Sequence, residues 1–257
     1  LPADNRSYFY PSVGLTAVIS ELVDLPEFIN YLKLRGSYAE VGNDTDPYML
    51  YRLATINKGT IALSPTLPNA DLKPESTRSN EIGLDLALLN NRVRFDFTYY
   101  KTNTFDQLFA SPVPVGSGVA SVFQNGADVQ NTGFEFVLGG DILSGQHFSW
   151  DININFSRNR SKILEIAEGF DVLNQADDYI RTYKLIKGEP FGAVYSRGYV
   201  RDEQGRVIVD ASGLPKITTG KDVMVANYNP DWLSGINNTF RYKDLTLSAL
   251  IDIRQGG

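Results

Sequence analysis

The chain has 257 residues, a formal net charge of -6, no cysteine and one histidine. An acidic chain without a basic cluster argues against nucleic-acid binding, and the lack of cysteine excludes disulfides and thiol chemistry. No run of apolar residues is long enough, at about 18, to make a membrane-spanning helix.

In chain order, eight stretches alternate apolar and polar residues with period two, the pattern of strands with two unlike faces. They are Val13–Ser20, Tyr31–Ala39, Asn80–Leu88, Arg92–Lys101, Asn131–Gly139, His147–Arg158, Leu233–Tyr242 and Leu245–Arg254. In the third, Ile82, Leu84, Leu86 and Leu88 share one face, with Glu81, Gly83, Asp85 and Ala87 on the other. In the fourth, Val93, Phe95, Phe97 and Tyr99 oppose Arg92, Arg94, Asp96 and Thr98. The sixth sets Phe148, Trp150, Ile152, Ile154 and Phe156 against Ser149, Asp151, Asn153 and Asn155.

Two tight turns predict registers. A two-residue loop at Asn90-Asn91 brings Leu88 opposite Val93, Leu86 opposite Phe95 and Leu84 opposite Phe97. Asparagine tolerates the positive φ of a type I′ turn. A loop at Lys243-Asp244 brings Tyr242 opposite Leu245, Phe240 opposite Leu247 and Ile236 opposite Ile251. A one-residue slip would mix the faces in both hairpins.

The connections alternate in length. Those at Glu21–Asn30, Leu89–Asn91, Gly140–Gln146 and Lys243–Asp244 are short, while Glu40–Ser79, Thr102–Gln130 and Asn159–Trp232 are long. Short turns at one end and long loops at the other are the plan of an outer-membrane barrel. Several strands also reach the length of roughly 9–11 residues that a tilted membrane strand needs. The reading is all-β: a segment of an antiparallel, up-and-down transmembrane β-barrel, with short periplasmic turns and long extracellular loops. A soluble β-domain with one solvated face, carbohydrate-binding or carbohydrate-active, is the alternative, since it would tolerate the same charges.

The candidate chemistry is sparse. Asp85 and Asp96 would sit opposite each other on the polar face, like a glycosidase pair, but nearby Arg92 and Arg94 make a charged lattice the better account. His147 reads as a solvated turn residue. Asn43, Asp44 and Asp46 could hold Ca²⁺ but lack the full calcium-loop spacing and read as a turn. No metal or cofactor site follows. Gly116–Ser121 reads as a flexible loop, because no strand leading into a helix surrounds it as a phosphate cradle requires. Tyr48 and Tyr51, in a long loop, are the candidate substrate-binding residues: their rings could stack on sugars or peptide side chains, or pack within the loop. Glu189–Ile217 is predicted to be a β-rich excursion with a turn at Asp202–Gly205, forming a folded lid.

Several stretches together form a specific pattern. The most specific is "ADLKPESTRSNEIGLDLALLNNRVRFDFTYYKTNT" (Ala70–Thr104). With "YFYPSVGLTAVISE" (Tyr8–Glu21), "LKLRGSYAEVGND" (Leu32–Asp44), "NTGFEF" (Asn131–Phe136), "GEPFGAVYSRGYV" (Gly188–Val200) and "NPDWLSGINNTFRYKDLTLSALIDIRQGG" (Asn229–Gly257), it resembles, in the same order, the SusC/RagA family of TonB-dependent outer-membrane transporters. Thr16 stands where the family has Trp, and "VANYNPDW" departs from its usual Gly-Asn. The resemblance implies that residues 1–257 are part of the barrel domain of a longer polypeptide, about eight strands of a 22-stranded barrel with a plug. It further implies a non-enzymatic protein of the bacterial outer membrane, in contact with its lipid, that imports a bulky oligosaccharide or peptide. The partners would be a SusD-like surface lipoprotein and TonB, the latter through the plug. A passive porin is the alternative within the membrane class.

Overall fold

The computed structural model describes residues 7–167 and 170–257. One eight-stranded antiparallel sheet dominates it. We number its strands β1 (Ser12–Val18), β2 (Ile29–Asn43), β3 (Glu75–Leu88), β4 (Val93–Phe105), β5 (Ala127–Ser144), β6 (Phe148–Ile166), β7 (Trp232–Tyr242) and β8 (Leu245–Gln255). Each pairs with the next in sequence, so the sheet is an uninterrupted up-and-down meander. Among the described residues the outer edges of β1 and β8 carry no strand partner.

Both predicted registers are present. Leu88, Leu86 and Leu84 face Val93, Phe95 and Phe97, and Tyr242, Phe240 and Ile236 face Leu245, Leu247 and Ile251. Asn90 and Asn91 take φ of 58° and 63°, as a type I′ turn demands, and Leu89 joins them at 54°. In the last hairpin Lys243 takes φ 51°, and its N–H donates to the carbonyl of His147 at 3.0 Å, tying two neighbouring turns together.

The strands differ from expectation mainly at the long-loop end, although β5 also runs on to Ser144 at the other. β2, β3, β4, β5 and β6 run on by several residues toward the long loops, so β6 reaches 19 residues and β5 18. Period-two alternation stops there, because Ser76, Thr77, Asn103, Thr104, Gln130 and Asn159 are polar whichever way they point. The ladder continues regardless: Thr77 still pairs with Thr104 and Gln130 with Asn103. At the other end β1 is shorter than expected, since Ile19–Leu22 forms a helical turn.

Among the described residues no second layer covers the apolar face. Ile82 is 66% exposed, Leu247 65% and Ile251 54%. A β-sandwich would bury these residues against a second sheet about 10 Å away. Instead the aromatic rings pack sideways on that face. Phe95, Phe97, Phe134, Phe136, Phe156 and Trp232 form a continuous patch with neighbouring centroids 5.3–6.3 Å apart. Asn238, a polar residue on the same face, receives the Trp150 indole N–H at 3.1 Å.

The buried core lies among the long connections. Ala127, Ile163, Leu173 and Leu185 form it, with Phe109, Ile166, Phe170 and Phe191 packed around them. These residues dock a four-stranded sheet (Val172–Asp177, Arg181–Ile186, Ala193–Ser196 and Val223–Asn227) onto the tops of β5 and β6. Backbone bonds from Ile163 N–H to Glu189 and from Gly188 N–H to Ile163 fasten the junction. The predicted lid is therefore folded. Its turn at Asp202–Gly205 is present, and a second Asp-x-x-Gly turn follows at Asp210–Gly213, with the glycines at φ 81° and 80°. In both turns the Asp carboxylate accepts backbone N–H groups two and four residues on. The three segments so joined close a cycle: Val200 donates to Lys216, Ile208 to Val200 and Lys216 to Ile208, each at 2.9 Å.

Candidate functional site on the polar face

The polar face divides into two zones along the strands. Near the short turns it is charged. Lys33 and Arg35 on β2 both bind Asp85 on β3. Arg35 also spans to β4, where its two terminal nitrogens reach the Asp96 carboxylate at 3.0 and 3.2 Å and Nη2 donates to Thr98 Oγ1 at 2.6 Å. Asp85 and Asp96 are paired across the hairpin as expected. Their cations come from β2, however, and not from Arg92 or Arg94. Arg94 instead reaches the other way, to Asp151 at 3.1 Å and Asp141 at 3.4 Å, and Arg92 donates to the carbonyls of Asp141 and Ile142. The reason is reach: a guanidinium two strands away extends over an intervening glycine, and Gly83 lies directly beneath Arg35. A carboxylate pair saturated by a lysine and an arginine is a structural lattice.

Toward the long loops the polar face carries hydroxyl and amide groups. Ser79 and Thr102 hydroxyls lie 3.0 Å apart, as do those of Thr77 and Thr104. Asn159 donates to Asn131 at 3.1 Å, and Gly235 N–H donates to the Asn155 side chain at 3.0 Å. Glu81 and Glu135 stand where the zones meet, flanking Tyr100, which lies across Gly133. Sequence alone does not single out Tyr100; its signal is the pairing of a large residue with a glycine on the adjacent strand, visible once the register is known.

Tyr48 and Tyr51 lie in one turn of the first long loop, joined by a bond from Tyr51 N–H to the Tyr48 carbonyl at 2.9 Å. Both are 70% exposed, and Tyr48 holds φ 69°. They therefore do not pack into the loop, and they lie apart from the polar zones just described. Asn43 ends β2 and donates to Glu75 at 3.1 Å, and Asp44 accepts the Thr45 N–H at 2.6 Å. Among the described residues no group of three His, Cys, Asp or Glu side chains is placed to hold a metal ion. His147 is exposed in its turn, and Gly116 lies in a 3₁₀ turn at Val115–Ser117.

Comparison with known proteins places this geometry. A family model described as "TonB dependent receptor-like, beta-barrel" matches residues 2–251. The chain is 28% identical to TonB-dependent receptor P3 of Formosa agariphila over 99% of its own length and 29% of that protein. It is 28% identical to TonB-dependent receptor SusC of Bacteroides thetaiotaomicron, over 95% of the chain and 27% of that protein. Among solved structures, the RagAB peptide importer in its "closed-closed" state aligns with a TM-score of 0.81 at 24% identity, over 99% of this chain and 30% of that one. That likeness establishes the fold. The chain spans less than a third of the length of the curated relatives it matches. The apolar face is accordingly lipid-facing, the polar face lines a lumen, and the chain belongs to the TonB-dependent receptor-like β-barrel family of the outer membrane.

Proposed function

We propose that this chain supplies wall, lumen lining and extracellular loops to an energised importer of a bulky nutrient, an oligosaccharide or a peptide. The support for this reading is the family match over residues 2–251, on a sheet whose long connections all leave from one end. In this reading residues 1–257 are one part of a larger barrel. Two open edges in a bilayer would leave backbone groups unsatisfied, so further strands must close the sheet. On the charged part of the polar face, Asp85 and Asp96 are held by Lys33 and Arg35.

A SusD-like surface lipoprotein would cover the extracellular end. The lid offers it apolar contacts at Tyr179, Tyr199 and Leu214, which are 93%, 54% and 63% exposed. In this reading the exposed rings of Tyr48 and Tyr51 would touch arriving substrate. TonB would act through a plug to open the lumen. Deleting TonB in the native cell is expected to abolish uptake through the intact receptor. Uptake that survives the deletion would identify a passive porin and reject the energised mechanism.

A further inference from the structure

We propose that Lys101, Arg158 and Lys162, on the outer wall of the sheet just beyond its aromatic rim, bind the phosphate of a phosphorylated lipid in the outer leaflet. The inference rests on the lipid-facing assignment and is independent of what the receptor imports.

The register carries the lipid face outward past its last apolar residues. Tyr99, Phe134 and Arg158 share one row across β4, β5 and β6. The next row outward holds Lys101, Thr132 and Arg160, and the one after it Asn103, Gln130 and Lys162. On β3 that last row continues at Arg78. Successive rows lie about 7 Å apart along a strand, and positions two strands apart about 10 Å. Long side chains at such spacings converge on one anion above Thr132, whose hydroxyl is a further donor.

The pairing of charges shows which cations are free. Arg78 binds Glu40 at 3.0 Å and Arg160 binds Asp231 at 2.8 Å. Among the described residues Lys101, Arg158 and Lys162 have no carboxylate partner, and all three are exposed. The lumen face differs, since Lys33, Arg35 and Arg94 each hold a carboxylate there. Past a register shift at Asp128 and Val129 the next pair outward is acidic, Asp128 with Glu165. The free cations therefore form a band and not a basic rim.

The position of the band selects the ligand. At the short-turn end the same face carries Leu88, Val93, Gly140 and Ile152, with no charge. The asymmetry singles out the outer leaflet, at the depth where an aromatic girdle ends and head groups begin. Phosphates at that depth meet cations that no protein group neutralises, and an arginine holds a phosphate with two parallel bonds. Directly below, the apolar rings receive acyl chains of the same molecule; Tyr99 is 42% exposed. A free anion makes no use of that contact, so the ligand is the lipid.

The test uses the complete receptor purified in a non-ionic detergent. It is titrated with lipid A carrying its phosphates and with the same lipid after their chemical removal, and bound lipid is counted by native mass spectrometry. The phosphorylated form is expected to bind more tightly. Lys101→Gln, Arg158→Gln and Lys162→Gln should each weaken that binding about fivefold, the effect of one surface cation on an anionic head group. Lys101→Arg should keep it, and Lys243→Gln, the same loss of charge in a short turn at the other end, should leave it unchanged. Heat-modifiable migration on a gel checks that each variant assembles. Equal binding of the two lipids overturns the proposal, and so does unchanged affinity in all three glutamine variants. Displacement of the lipid by inorganic phosphate, beyond that by sodium chloride of equal ionic strength, marks a free-anion site and overturns it too. Glutamine variants that keep the lipid and lose a co-purifying surface lipoprotein assign the cations to a protein contact, which also overturns it.

Discussion

Asp178, at the turn between the first two strands of the lid sheet, is held by three hydrogen bonds from its neighbours. The backbone N–H of Arg181 donates to it at 2.7 Å, that of Ile180 at 2.8 Å and the Arg181 side chain at 2.9 Å. These bonds, the Arg181 backbone first, hold its pKa down at about 2. A carboxyl whose folded pKa is depressed stabilises the fold above its ordinary range and loses that contribution as pH falls through the folded value. The turn is therefore expected to stay ordered to about pH 4 and loosen between about pH 4 and pH 2. Hydrogen exchange at the Ile180 and Arg181 amides measures this, and Asp178→Asn should remove the pH dependence while leaving exchange faster throughout. Asp202 acts alike in the next excursion, where the Arg206 backbone N–H and then its side chain lower the carboxyl pKa.

At the scale of the strand, the two faces of β6 make opposite predictions. Ile154 faces lipid and Asn153 faces the lumen, where it pairs with Asn237. Placing Lys at 154 is expected to cost about 2–4 kcal/mol near the bilayer midplane. Asn153→Lys should be far milder. Denaturant titration of the receptor refolded into vesicles separates the two, and equal tolerance would reject the facing. The aromatic patch predicts a second effect. Phe136 meets Phe95 and Phe156 at 6.0 and 5.3 Å. At about 0.5–1.5 kcal/mol for each aromatic pair, Phe136→Leu should destabilise the barrel by roughly 1–3 kcal/mol in the same titration. Both hairpin registers were legible because each short turn leaves one pairing that keeps apolar with apolar. The strand extensions were not, since polar residues carry no period once neither face meets lipid.

For the whole molecule, the uncovered apolar face makes the environment part of the fold. The receptor is expected to stay with the membrane through carbonate and high-salt washes and to leave it only in detergent. Release by a wash alone would rule out lipid-facing strands. A lid core of Ala127, Ile163, Leu173 and Leu185 packs beyond the bilayer, where water supplies the hydrophobic drive that lipid does not.

By itself the sequence determined the two faces, the central strand segments, the hairpin registers and the sorting of long from short loops. Each of these depends on neighbours two residues apart or joined by a tight turn. Tertiary structure alone decided which cation meets which carboxylate, what lies over each lumen glycine, and how the lid closes its three-segment cycle. Arg35 and Asp96 are 61 residues apart and separated by a strand, so only the assembled sheet and the length of the arginine side chain bring them together. Tyr100 and Gly133 likewise become one feature only when β4 and β5 are set side by side.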